Sequence, residues 1–245
     1  MHALLALTLA HARDVARRPS TLILAAVGAV LVLSLRWFSA FGLGYEVVQL
    51  VELGVYTIGM LGAVGVVLFW LPRDDETDDP ELLLLTRPVS PWALAGGAFA
   101  GRLAVVALLF AGWLLCIAAA LLWFKLEDAQ LFGYRGADSV TEEAIRAIGP
   151  LFGQLLATGV LLALAQPIAR TRKPALLAGG VLGLYVLGYA VALPVLPDLA
   201  RQDVTGSLWG MPDSSISAWQ IVHACAWCAV GIALDTGVLR LRSVS

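Results

Sequence analysis

Charged side chains are scarce in this 245-residue chain: they make up 14% of it, while 60% is apolar. Ordinary soluble domains run at about 25% charged and roughly 45–50% apolar, so the composition excludes an ordinary water-soluble globule and places the chain in lipid. Lysine is scarcer still, with Lys125 and Lys173 alone, neither preceded by glycine. A P-loop needs a glycine-rich turn ending in Gly-Lys-Ser/Thr to cradle phosphates, so this chain has no ATP-binding loop of its own. Cysteine is limited to Cys116, Cys225 and Cys228, all within apolar stretches, which excludes a secreted disulfide framework and a closed zinc site. No basic cluster marks a nucleic-acid footprint, and the net charge is only −2, so nucleic acid is not the expected partner. Paired intramembrane aspartates, a Ser-His dyad and a His-Glu-x-x-His helix are all missing, which argues against an intramembrane hydrolase. No enzyme activity, cofactor or metal is expected in this chain.

Long apolar runs are what the sequence does have. A hydrocarbon core about 30 Å thick needs ~20 apolar helical residues, and six stretches qualify: 21–41, 47–71, 92–124, 147–169, 175–196 and 218–238. The expected fold is an all-α polytopic membrane protein of one domain, 1–245. The third stretch is too long to stand upright, and Trp92 to Gly101 is expected near the interface, with Arg102 reaching for headgroups. Residues 1–18 set Leu4, Leu5 and Leu9 against His2, Arg13 and Arg17 before Pro19. That pattern predicts an interfacial helix. Its positive charges follow its apolar residues, the reverse of a signal peptide, so no cleaved leader is expected. Placing the N-terminus inside puts ten of the sixteen Lys and Arg on the cytoplasmic side, Arg170, Arg172 and Lys173 among them. The positive-inside rule then predicts both termini in the cytoplasm.

Between the second and third stretches, Asp79-Pro80-Glu81 precedes four leucines and then Arg87-Pro88. Asp79 suits an N-cap, Pro80 the first helical position and Glu81 the positive end of the dipole. The product is a short cytoplasmic helix whose leucines press on the membrane surface or on another protein.

The run Leu83-Leu84-Leu85-Thr86-Arg87-Pro88-Val89-Ser90-Pro91-Trp92, continuing to Gly97 and Gly101, resembles the acidic loop of the second class of ABC export permeases. Pro88, Val89, Ser90 and Gly97 match that pattern, whereas Asp79-Pro80 stands where Gly-Thr is usual, Pro91 replaces an Arg and Ala98 a Lys. The resemblance implies a homodimer or heterodimer of permeases in a bacterial inner membrane. It also implies that partner ATPase subunits bind the ATP, with the loop helix seated in an ATPase groove through Glu81, Leu82, Leu84, Leu85 and Arg87. A haem-exporter-like permease is a near relative of this reading, and a non-transporting membrane scaffold is the alternative from another class.

Within the spans, Arg36 and Glu52 fall at similar depth in an antiparallel hairpin and are expected to pair. Arg102 and Asp235 are expected to snorkel or to form a second pair at the cytoplasmic ends. His223-x-Cys225-x-x-Cys228 is read as packing, because residue 223 is turned about 200° from 225 on a helix and three ligands do not converge. Gly97-x-x-x-Gly101, Gly149-x-x-x-Gly153 and Gly179, Gly180 and Gly183 are read as sites of close helix approach.

Overall fold

A computed structural model describes residues 2–39, 46–70, 89–131, 148–170, 175–181 and 218–244, with 145, 173 and 183. Every described element is an α-helix: α1 (His2–Arg17), α2 (Pro19–Ser39), α3 (Glu46–Trp70), α4 (Pro91–Leu131), α5 (Ile148–Ala169) and α6 (Ala218–Val244). Residues 175–181 add a helical stretch at the start of the predicted fifth span. Four segments are long and apolar enough to cross a membrane: Leu50–Phe69, Pro91–Trp123, Ile148–Ala169 and Ile221–Leu241. A fifth candidate is α1 with α2, bent by 65°. The chain is a multi-pass helical membrane protein. The rest of the predicted fifth span, the loop helix at 80–87 and Pro88 lie outside the described residues, as does the side chain of Arg36.

The corner between α1 and α2 is where the sequence places Pro19. Pro19 takes the first helical position of α2, where its missing N–H costs nothing. Arg18 closes the corner: its N–H donates to the Val15 carbonyl, and its own carbonyl accepts from Thr21 and Leu22. The Thr21 hydroxyl donates to the same Val15 carbonyl at 2.7 Å.

A buried core joins α1, α2, α3, α4 and α5 through Val15, Leu24, Ile58, Phe69, Phe110, Trp113, Ile117 and Leu151. Trp113 of α4 wedges against α2, where any side chain at Gly28 would collide with its indole ring. Its Nε1–H donates to the Ala25 carbonyl at 3.2 Å, so the one polar atom of the ring is satisfied inside the bundle. A second core joins α3, α4, α5 and α6 through Val66, Phe99, Ala157, Leu161 and Ala224.

The glycine pair of α4 meets α1. A Cβ at Gly97 would stand 2.7 Å from the Leu7 Cβ, and one at Gly101 would stand 2.7 Å from the Thr8 carbonyl oxygen and 2.9 Å from the Ala12 nitrogen. Pro91 to Gly101 is therefore the continuous first part of a 41-residue helix that seats α1. Gly231 of α6 makes the other close approach, its position meeting the Ala163 carbonyl of α5 at 2.6 Å. That carbonyl is the one Pro167 deprives of its helical N–H partner, so α6 packs where the α5 ladder is interrupted. Among the described residues, a Cβ at Gly149, Gly179 or Gly183 would have nothing within 4 Å. Gly180 of the same group does make a close approach, a Cβ there standing 3.3 Å from the Ile168 Cδ1 of α5.

Candidate functional site

Among the described residues, the buried charged groups gather at the end that carries α1. Asp235 of α6 is fully buried, and Arg170, the residue just past α5, is nearly so. The Arg170 guanidinium grips the carboxylate with two bonds, Nε to Oδ1 at 2.9 Å and Nη2 to Oδ2 at 3.1 Å. Gln166, one turn back on α5, donates from Nε2 to Asp235 Oδ2 at 2.6 Å and to the Ala95 carbonyl of α4 at 2.9 Å. A forked, charge-assisted pair of this kind is directional as well as strong. It ties α4, α5 and α6 together at one level.

A second cluster ties α1, α3 and α4. The last carbonyls of a helix lack intrahelical donors, and the carbonyl of Phe69, near the end of α3, accepts from Arg102 Nε at 3.3 Å and from Arg18 Nη1 at 3.4 Å. Arg102 also donates from Nη1 to the Ala98 carbonyl at 3.2 Å. Arg18 grips Asp14 at 2.7 Å. His11 sits over Gly101, its Nε2 buried without a hydrogen-bond partner among the described residues. Burial holds the His11 ring down to about 4 from its ordinary 6.5, with the positive Arg102 and Arg170 pushing the same way and Asp14 opposing them.

Arg102 and Asp235 thus neither snorkel nor pair with each other. Arg170, read from the sequence as a loop cation, is the actual partner of Asp235. The pairing spans 65 residues of sequence, and only the packing of α5 against α6 brings the two together. The overlooked signal was the spacing of polar residues in the fourth apolar stretch, where Gln154, Thr158, Gln166 and Arg170 recur in steps of four or eight.

Of the residues carrying the family resemblance, Val89, Ser90 and Gly97 are described. Ser90 caps α4: its Oγ accepts the Ala93 N–H at 3.2 Å, and its carbonyl accepts from Ala93 and Leu94. Gly97 supports α1. Glu52 is partly buried on α3, while its expected pairing with Arg36 falls outside what is described. Glu81, Leu82, Leu84, Leu85, Arg87 and Pro88 also lie outside it.

In α6 the His223 ring accepts a hydrogen bond on Nε2 from the Trp227 indole at 3.1 Å, and Cys225 and Cys228 are free thiols. Among the described residues no group of three His, Cys, Asp or Glu is placed to hold a metal ion. No protein-family model matches this chain, and no curated protein matches it.

Proposed function

We propose that this chain is the membrane-spanning permease subunit of an ABC transporter of the export type. In this reading six spans, with both termini in the cytoplasm of a bacterial cell, pair with a second permease copy. Separate ATPase subunits bind and hydrolyse the ATP. The observation that carries the reading is the seating of α1 on the first turns of α4, directly after the acidic, leucine-bearing loop. Gly97 and Gly101 bring the α1 backbone against α4, and Ser90 with Pro91 fixes the helix start. A force applied to the loop would therefore reach α4 and α1 as one unit. Through the Ala95 carbonyl, Gln166 and Asp235 it would pass on to α5 and α6. The four leucines and Glu81 supply the surface a cytoplasmic ATPase would grip.

Co-purification with the ATPase encoded beside the gene tests this. Wild type is expected to retain the ATPase, and Glu81→Lys and Leu84→Asp to lose it while remaining inserted in the membrane. Unchanged association in both variants would remove the docking role from this loop. If wild type retained no ATPase, a non-transporting membrane scaffold would be the better reading.

A further inference from the structure

A polar series winds along α5 inside the bundle. Gln154, Thr158 and Gln166 are fully buried, with the apolar Leu162 between the last two, and Arg170 continues the series almost fully buried. Four residues advance a helix by about 6 Å and turn its face by about 40°, so from Gln154 to Arg170 the series winds by about 160° around α5. The series therefore runs for roughly 24 Å, most of a hydrocarbon core.

Three of its members have structural partners. Thr158 donates to the Gln154 carbonyl at 2.7 Å, and its Oγ1 lies against Gly62 of α3 beside the Phe110 ring of α4. Gln166 and Arg170 hold Asp235. Gln154 differs, because its side-chain Nε2 and Oε1 are both buried with no hydrogen-bond partner among the described residues, whereas Gln166 leaves only its Oε1 bare. An amide is among the least tolerable groups to leave bare in hydrocarbon. Polar side chains that face the interior of a membrane bundle either pair with one another or line the paths of transported molecules.

Resting on the permease reading, we propose that α5 lines the transport path and that the Gln154 amide binds an uncharged hydrogen-bonding group of the cargo, an amide or a hydroxyl. The amide offers one donor face and one acceptor face. The charges at the end of the series, Arg170 and Asp235, are spent on each other, which favours a neutral group over an ion.

Two measurements on the full-length chain test the assignment. If the bare amide is kept for a ligand, Gln154→Leu removes an unsatisfied group and raises the Tm in detergent, by about 2–4 °C for a chain of this size. Should the leucine variant fail to accumulate, Gln154→Met gives the same comparison. The second measurement introduces Gln154→Cys after replacing Cys116, Cys225 and Cys228 with alanine. In membrane vesicles the thiol is treated separately with hydroxyethyl, trimethylammonium-ethyl and sulfonatoethyl methanethiosulfonate. Leu108→Cys, at an exposed apolar position on α4, serves as the lipid-facing control.

The hydroxyethyl reagent is expected to react several-fold faster at position 154 than at 108, and faster there than either charged reagent. A lowered Tm in the apolar variant, or no advantage of 154 over 108, overturns the path. A charged reagent reacting fastest overturns the neutral class. Labelling at 154 without a co-purifying ATPase would sink the permease reading and leave a polar path. The converse result would sink only the role of Gln154.

Discussion

Asp235 receives three hydrogen bonds on two oxygens in a place water does not reach. Its removal and the removal of its partner should therefore cost different amounts from the removal of both. Breaking a buried ion pair by deleting one partner strands the other charge and typically costs about 3–5 kcal/mol, whereas replacing both members with apolar residues is often near neutral. Arg170→Leu alone should lower the Tm in detergent sharply, and Arg170→Leu with Asp235→Leu should recover most of the loss. Equal losses in the single and double variants would mean that the pair acts through something other than mutual neutralisation.

His11 behaves in the opposite sense from a residue that gains a charged partner. Its ring stays neutral in the folded state down to about pH 4, while the unfolded ring takes up a proton near pH 6.5. The stability it contributes is complete above pH 6.5 and is lost as the pH falls toward 4. A His11→Gln variant should accordingly show a smaller drop in Tm between pH 7.5 and pH 5 than wild type. An identical drop in both would remove His11 from the acid sensitivity.

Elements meet here through backbone as much as through side chains, and α1 shows it best. A methyl group at Gly101 would be driven into the Thr8 carbonyl and the Ala12 amide, which cannot yield, whereas one at Gly96 would meet only the Leu4 side chain at an ordinary 3.5 Å. Gly101→Ala should lift α1 and speed tryptic cleavage at Arg13 and Arg17, while Gly96→Ala should leave the rate unchanged. Equal rates in the two variants would mean that α1 is not held by this seat.

The glycine spacing itself was legible in the sequence. That the partner would be α1 instead of another span was not, because Gly-x-x-x-Gly specifies a close neighbour without specifying which one. The helices were legible for a similar reason: runs of apolar residues bounded by Pro19, Pro91 and Ser90 carry their own start and stop signals. Arg170 was misread because it follows the last apolar residue of its run, where most cations meet water. Only the packing of α6 over α5, with Gly231 on the Ala163 carbonyl, encloses it.

At the scale of the whole molecule the helices differ in how much of their surface the bundle covers. α5 is enclosed by α3, α4 and α6, whereas α6 and α2 leave many large apolar side chains exposed, among them Leu22, Ile23, Val30, Val222, Leu234 and Leu241. In a membrane those surfaces face lipid or a second chain, and the interior polar groups lie on the elements they shield. The composition disclosed the apolar outside at once. It could not disclose the polar inside, because a span's hydropathy averages over all its faces.

The seat of α1 also has a history. α1 rests on Gly97 and Gly101, which are made about 90 residues after it. At ordinary synthesis rates that interval is about 5–20 s. Until then the face of α1 that α4 will seat has no protein to cover it, and the bilayer surface is the shelter within reach. The amphipathic pattern of the first eighteen residues thus serves the newborn chain before it serves the finished one, holding α1 beside the membrane until α4 arrives to receive it.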